Sequence, residues 1–192
     1  MNEGNGNSGS SVDELSGELL QFCLSDSLSE EGLRKIIDKY ELTPDHNRHG
    51  DYNFGNAFFF FAACDNERVT EEIIRLLIEY FPDAPSKIDT AGLMPLHYAC
   101  CNNNMTANII QLLIEAAPDS VRHAHKDGEL PIHFLCGCLS DGLSDGNEAA
   151  KVAILKLLLD KYPESIRLTN NKGFLPLHYA LHERNLLNFV SY

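Results

Sequence analysis

His97 and Cys100 stand three residues apart, as do His133 and Cys136, and Cys101 and Cys138 lie beside them in the chain. Imidazole and thiolate donors one helical turn apart are what a zinc ion takes up. The period speaks against that chemistry. Cys64, Cys100 and Cys136 are spaced 36 and 36, so they are one position used three times: a small apolar residue at equivalent core sites. A metal needs its ligands to converge once, so no metal or cofactor site is expected. Cys136 and Cys138 could make a redox pair, but alternate positions on a helix point apart, which favours structural thiols.

Other chemical candidates yield to the same kind of check. "SDGLSDGNE" (140–148) has the Asp and Gly of a calcium loop. With Asp141 first and Gly146 sixth, however, position three is Leu143 and position twelve is Val152, where carboxylates are needed. It reads as a flexible insertion able to make an accessory contact. "SVDE" (11–14) and "SLSE" (27–30) resemble acidic-directed phosphorylation sites, and fit better as capping boxes that open helices. No nucleophile elbow, phosphate-binding glycine loop or metalloprotease helix is present. His182 and Glu183 have no nucleophile beside them. No enzyme activity is expected.

The elements that carry these residues repeat. "GLMPLHYACC" from Gly92, "GELPIHFLCG" from Gly128 and "GFLPLHYALH" from Gly173 are 36 and 45 residues apart. Second helical patterns alternate with them, "EEIIRLLIEYFPD" (71–83), "TANIIQLLIEAAPD" (106–119) and "AAKVAILKLLLDKYPE" (149–164), and their prolines Pro82, Pro118 and Pro163 keep the 36 and 45 spacing. The nine extra residues fall in 137–147, between two helices, where an insertion costs least. Ile110, Leu113, Ile114 and Ala117 form one apolar face. A unit of this size cannot bury such a face alone, so neighbours must stack.

Thirty-six residues before Gly92 lies Asn56, which sets "NAFFFFAACDN" on "GLMPLHYACCN". The phenylalanine run is then a motif helix, with Phe59 for Pro and Phe61 for His. Phe60 takes the core leucine position and Phe61 fills the imidazole space. Phe58 and Phe59 are expected near a loop around Tyr52 and Phe54. Residues 29–42 read as an earlier second helix with Leu33, Ile36 and Ile37 on one face, and 12–24 as its first helix. The resulting division is a Gly/Ser-rich disordered tail (1–11), an N-terminal capping helix pair (12–50), repeats at 51–86, 87–122 and 123–167, and an incomplete repeat (168–192).

The apolar fraction of 44% excludes wholesale disorder. A net charge of −13 argues against nucleic acid as a partner. Residues 1–31 contain seven acids and no Lys or Arg. No run reaches the ~18 apolar residues of a membrane span, and the N-terminus lacks a basic and an apolar signal region. A cytoplasmic or nuclear protein with reduced cysteines is expected.

"GLMPLHYA" and "GFLPLHYA" resemble the ankyrin signature Gly-x-Thr-Pro-Leu-His-x-Ala, and "GELPIHFL" is a looser copy. The resemblance covers residues 12–192 and is clearest from 51 to 183. It implies an all-α, ankyrin-type solenoid of stacked helix-turn-helix repeats. Leu96, Ile132 and Leu177 would point into the stack, and the motif histidines would bond neighbouring backbone. The motif Thr is replaced by Phe58, Met94, Leu130 and Leu175, removing its hydroxyl cap in every unit. Repeats of about 36 residues are longer than the usual ~33.

The resemblance also implies a protein-binding scaffold that uses its concave face and the finger loops between repeats. Carried onto this chain, the finger positions are Thr90, Ala91, Leu93, Lys126, Asp127, Glu129, Asn171, Lys172 and Phe174. The helix positions are Asp65, Asn66, Cys101, Asn102, Gly137, Cys138, His182 and Glu183. Fingers containing His46, Arg48, His49, Lys87, Arg122, His123, His125, Lys126, Arg167 and Lys172 suit an acidic or phosphorylated protein segment. The alternative is a regulatory or targeting subunit of an enzyme complex, docked through the incomplete C-terminal repeat, where "NLLNFVSY" (185–192) leaves an apolar face ungathered.

Overall fold

Helices in two layers make up the chain's described part, which in this computed structural model is residues 8–44, 57–138 and 148–181. The first layer holds α1 (Ser8–Leu24), α3 (Phe58–Asp65), α5 (Pro95–Cys101) and α7 (Pro131–Cys138). The second holds α2 (Glu30–Lys39), α4 (Glu71–Tyr80), α6 (Ala107–Ala116) and α8 (Glu148–Lys161). Each helix packs on its neighbours in the same layer, α1 on α3, α3 on α5, α5 on α7, and likewise α2 through α8. Residues 176–181 begin another first-layer helix. No strand occurs among the described residues, so the fold is all-helical.

The apolar faces meet between the layers. Leu19, Leu33, Phe60, Ile74, Leu77, Leu96, Ile110, Leu113, Ile132, Leu135, Ile154 and Leu158 form one continuous core. Leu33, Ile36 and Ile37 are buried as the period predicts, as are Ile110, Leu113, Ile114 and Ala117.

The ends of the second-layer helices have local causes. Hydroxyls of Ser29, Thr70 and Thr106 accept from the N–H groups of Gly32, Ile73 and Ile109, each at 3.3 Å. Each second-layer helix from α4 onward is capped by the residue before a proline, where helical backbone is disfavoured. Phe81, Ala117 and Tyr162 accordingly have ψ of 63°, 79° and 79°.

The motif helices replace the missing hydroxyl cap with imidazole. Met94 N–H donates to His97 Nδ1 at 3.1 Å, Leu130 N–H to His133 Nδ1 at 3.1 Å, and Leu175 N–H to His178 Nδ1 at 2.8 Å. Each ring therefore accepts at Nδ1 and carries its proton on Nε2. His97 and His133 are fully buried. Their Nε2 groups have no hydrogen-bond partner.

Several expectations need correction. The first helix starts at Ser8, so Ser11 lies within it rather than at its start. Ser29, not Ser27, caps α2, while Ser27 N–H bonds to Ser25 Oγ at 3.3 Å in a turn before it. Phe60 and Phe61 are buried as expected, Phe61 against the Tyr98 ring at 5.5 Å. Phe59 is fully buried, edge-on to Phe81 at 4.8 Å. Phe58 is 45% exposed. Tyr52 and Phe54 lie outside the described residues, as does most of the 137–147 insertion. Part of the extra length becomes a first turn of α8, where Lys151 Nζ donates to the Cys138 carbonyl at 2.8 Å. Leu177, in the last described helix, is 56% exposed, whereas its counterparts Leu96 and Ile132 are buried.

Candidate interaction surface

Each finger loop is organised by its first residue. Asp89 Oδ1 accepts from the Ala91 and Leu93 N–H groups at 2.8 Å each. Its own N–H bonds to the Leu93 carbonyl at 2.9 Å. Asn170 repeats the pattern, its Oδ1 accepting from Lys172 at 3.0 Å and Phe174 at 2.9 Å. His125 takes the place between them, with its N–H bonded to the Glu129 carbonyl at 3.0 Å. Burial disfavours the Asp89 charge, yet the N–H groups of Leu93, Ala91 and Gly92 and the Tyr98 hydroxyl outweigh it and hold the carboxyl below its usual range.

An aromatic residue nine positions on braces each finger. Tyr98 OH donates to Asp89 Oδ2 at 2.8 Å. Tyr179 OH donates to Glu129 Oε1 and accepts from Asn170 Nδ2. Burial and the adjoining carboxylate push the Tyr98 and Tyr179 phenols up to about 12.

The tips are tied side by side. Lys126 Nζ donates to the Thr90 carbonyl. Asn171 Nδ2 donates to the Lys126 carbonyl at 3.0 Å, and Asn171 N–H to the Asp127 carbonyl at 2.8 Å. Thr90, Ala91, Lys126, Asp127, Asn171, Lys172 and Phe174 remain exposed, while Leu93 and Glu129 are half-buried. Glu129 is engaged by Asn170 and Tyr179.

The basic groups of the fingers divide. Arg122, Lys126, Arg167 and Lys172 are exposed, Arg122 above the Tyr162 ring at 4.9 Å. His123 instead turns inward, its Nε2 2.9 Å from the Gly92 carbonyl. His125 Nε2 sits 3.5 Å from Asp127 and 3.9 Å from Glu129. Lys87 is half-buried, and His46, Arg48 and His49 lie outside the described residues.

The helix-end positions divide too. Asp65 is exposed and lines an open groove of about 440 Å³ with Asp26, Glu67 and Arg68. The Asn66 and Asn102 amides are engaged within the stack. Asn66 Nδ2 donates to the Cys23 and Ser25 carbonyls at 2.9 and 3.0 Å. Asn102, itself buried, donates to the Cys64 and Asn66 carbonyls at 3.0 and 2.9 Å. They form two rungs of a ladder, one from α3 to the end of α1 and one from α5 to α3. Cys101 and Cys138 are half-buried and Gly137 lies against the Tyr179 ring. His182 and Glu183 lie outside the described residues.

The sequence reading missed Asp89, Asn170, Tyr98 and Tyr179. Their signal was available: Asp89, His125 and Asn170 keep the 36 and 45 spacing, as do Tyr98, Phe134 and Tyr179. Among the described residues no group of three or more His, Cys, Asp or Glu could hold a metal ion. No described helix is long and apolar enough to cross a membrane.

Paired helices in two layers, with laterally bonded fingers and a Pro-Leu-His or Pro-Ile-His helix opening each unit from Gly92 onward, define a helical repeat solenoid. The family model of the ankyrin repeat matches residues 91–123, the finger, α5, α6 and the turn after them. That match supports an ankyrin repeat protein, and ankyrin repeats as a class serve in protein interaction and are generally non-catalytic. Comparison with the curated proteins gives no match.

Proposed function

We propose that the chain is a non-catalytic interaction module that binds a partner protein through its finger tips and the exposed ends of its first-layer helices. The observation that carries this reading is the lateral bonding of the fingers through Lys126 and Asn171. It turns separate loops into one preformed edge, so little ordering entropy is lost on binding. Thr90, Ala91, Leu93, Lys126, Asp127, Asn171, Lys172, Phe174 and Asp65 are the proposed contact residues.

The exposed cations Arg122, Lys126, Arg167 and Lys172 favour an acidic or phosphorylated segment as the ligand. An array of phosphorylated, acidic and neutral peptides probed with the full chain tests this. Arg122→Glu combined with Lys126→Glu should weaken binding to the acidic and phosphorylated members at least tenfold. Unchanged affinity would count against the edge as the binding site.

A second reading rests on Phe174, Leu177 and Leu181, which are 42%, 56% and 45% exposed on the last described finger and helix. Such a face suits docking as a regulatory or targeting subunit on an enzyme. Sedimentation of the full chain across a hundredfold concentration range should then show self-association through that face. A strict monomer argues for the first reading.

A further inference from the structure

The sequence pairs Cys136 with Cys138, and the structure pairs Cys138 with Cys101 instead. Cys136 faces the core and is buried. Cys101, at the end of α5, and Cys138, at the end of α7, are half-buried side chains of adjacent first-layer helices. Their side chains are hydrogen-bonded to each other. Cys101 Sγ also reaches the Phe134 carbonyl on α7 at 3.8 Å. The other four cysteines, Cys23, Cys64, Cys100 and Cys136, are buried in the stack.

We propose that Cys101 and Cys138 are a peroxide-sensitive dithiol that closes to a reversible disulfide between consecutive repeats. Cys138 is the attacking sulfur. The Cys101 thiol is held protonated chiefly by its bond to Cys138, and then by burial, so the attack is assigned to Cys138. The Cys138 thiolate attacks one oxygen of hydrogen peroxide, the O–O bond breaks, and hydroxide leaves, giving a sulfenic acid. Cys101 sulfur then attacks the sulfenic sulfur. Hydroxide departs and takes up the Cys101 proton as water. Two thiols and one peroxide become one disulfide and two waters, and a thiol reductant reverses the step.

The remaining thiols are protected from the same chemistry. Burial pushes Cys23 up to about 12 and Cys136 up to about 11, and raises Cys64 and Cys100 further still. A bond at Cys101 would sit next to Asn102, whose amide joins α5 to α3. It would therefore add a covalent rung between α5 and α7 beside a hydrogen-bonded one. α5 and α7 could no longer part, so oxidation would stiffen the first-layer surface without altering the fingers.

The test exposes the reduced full-length chain to hydrogen peroxide, then counts thiols and maps alkylated peptides by mass spectrometry. Free thiols should fall from six to four per chain, with Cys101 and Cys138 linked, and dithiothreitol should restore all of them. Oxidised protein should melt above reduced protein. Cys101→Ser should stop at a sulfenic acid on Cys138 that dimedone traps, and Cys138→Ser should form neither product. A disulfide linking any other pair overturns the proposal, as does retention of all six thiols by a chain whose circular dichroism remains helical. Should a serine variant fail to fold, the peptide map of the unaltered chain decides alone.

Discussion

Gly128→Ala should destabilise this protein by about 3 kcal/mol, far more than the same change at Gly173. All three finger glycines have positive φ, +87° at Gly92, +81° at Gly128 and +80° at Gly173. Alanine in that conformation costs about 1 kcal/mol wherever it occurs. What differs is the space. A Cβ on Gly128 would lie 2.5 Å from Asn171 Oδ1 and 2.9 Å from the Asn171 backbone nitrogen. The amide end can swing aside, but the backbone nitrogen is bonded to the Asp127 carbonyl at 2.8 Å. Relief therefore requires the two fingers to separate. That forfeits this bond and the one from Asn171 Nδ2 to the Lys126 carbonyl, at about 1 kcal/mol each.

For a chain of this length that corresponds to a melting midpoint lowered by about 6–12 °C. Gly173 has nothing within 4 Å of an added Cβ, so Gly173→Ala should lose only the conformational ~1 kcal/mol. Gly92 belongs between them, with Lys126 Cγ at 3.2 Å and Lys126 N at 3.3 Å. Thermal melts of the three variants check the order. Equal losses at all three would mean that the fingers do not lean on one another, and would remove the main support for a preformed edge.

The layers of this fold were legible because the apolar period and the Pro-Leu-His motif act locally. Whether a recurring polar residue faces inward was harder to read. The cysteines were assigned to the core because they recur at 36 residues, and Asn66 and Asn102 recur at the same interval. Applied evenly, that criterion would have made the asparagines structural, and the ladder of amide-to-carbonyl bonds bears it out. Phe59 carries a similar lesson. Its counterparts Pro95, Pro131 and Pro176 are all buried, so alignment with proline was itself a reason to place the ring inside. The bonds across repeats, from Lys126 to Thr90 or Asn171 to Asp127, depend on how far apart neighbouring fingers sit. No single-sequence pattern encodes that distance. The Cys101–Cys138 contact escaped for the same reason: it joins positions 37 apart, one off the repeat period, and so looks unrelated in the chain.

Acid should loosen the stack well before its carboxylates are protonated, and His97 should be the main cause. Burial, reinforced by His123 and His125 at ring distances of 5.9 and 6.5 Å, pushes His97 down to about 4 from its ordinary 6.5. The folded chain then binds fewer protons at this site than the unfolded chain between those values. Stability is therefore complete above about pH 6.5 and is lost as pH falls toward 4. At 1.36 kcal/mol per pKa unit, the loss is about 2 kcal/mol by pH 5 and about 3 kcal/mol near pH 4. His133, also lowered by burial, adds to it with the same sign. Both rings accept a backbone N–H at Nδ1, so protonation there removes the helix cap as well as adding a charge to the core. His97→Phe separates these effects, since Phe61 already occupies the equivalent place in the preceding unit and is buried there. The variant should start about 1 kcal/mol less stable at pH 7.5, having lost the cap. Its melting midpoint should then fall much less than that of the unaltered chain between pH 7.5 and 5, so the two curves converge. Curves that stay parallel would show that the proton enters elsewhere, and that the buried Nδ1 of His97 is not the acid-sensitive point of the fold.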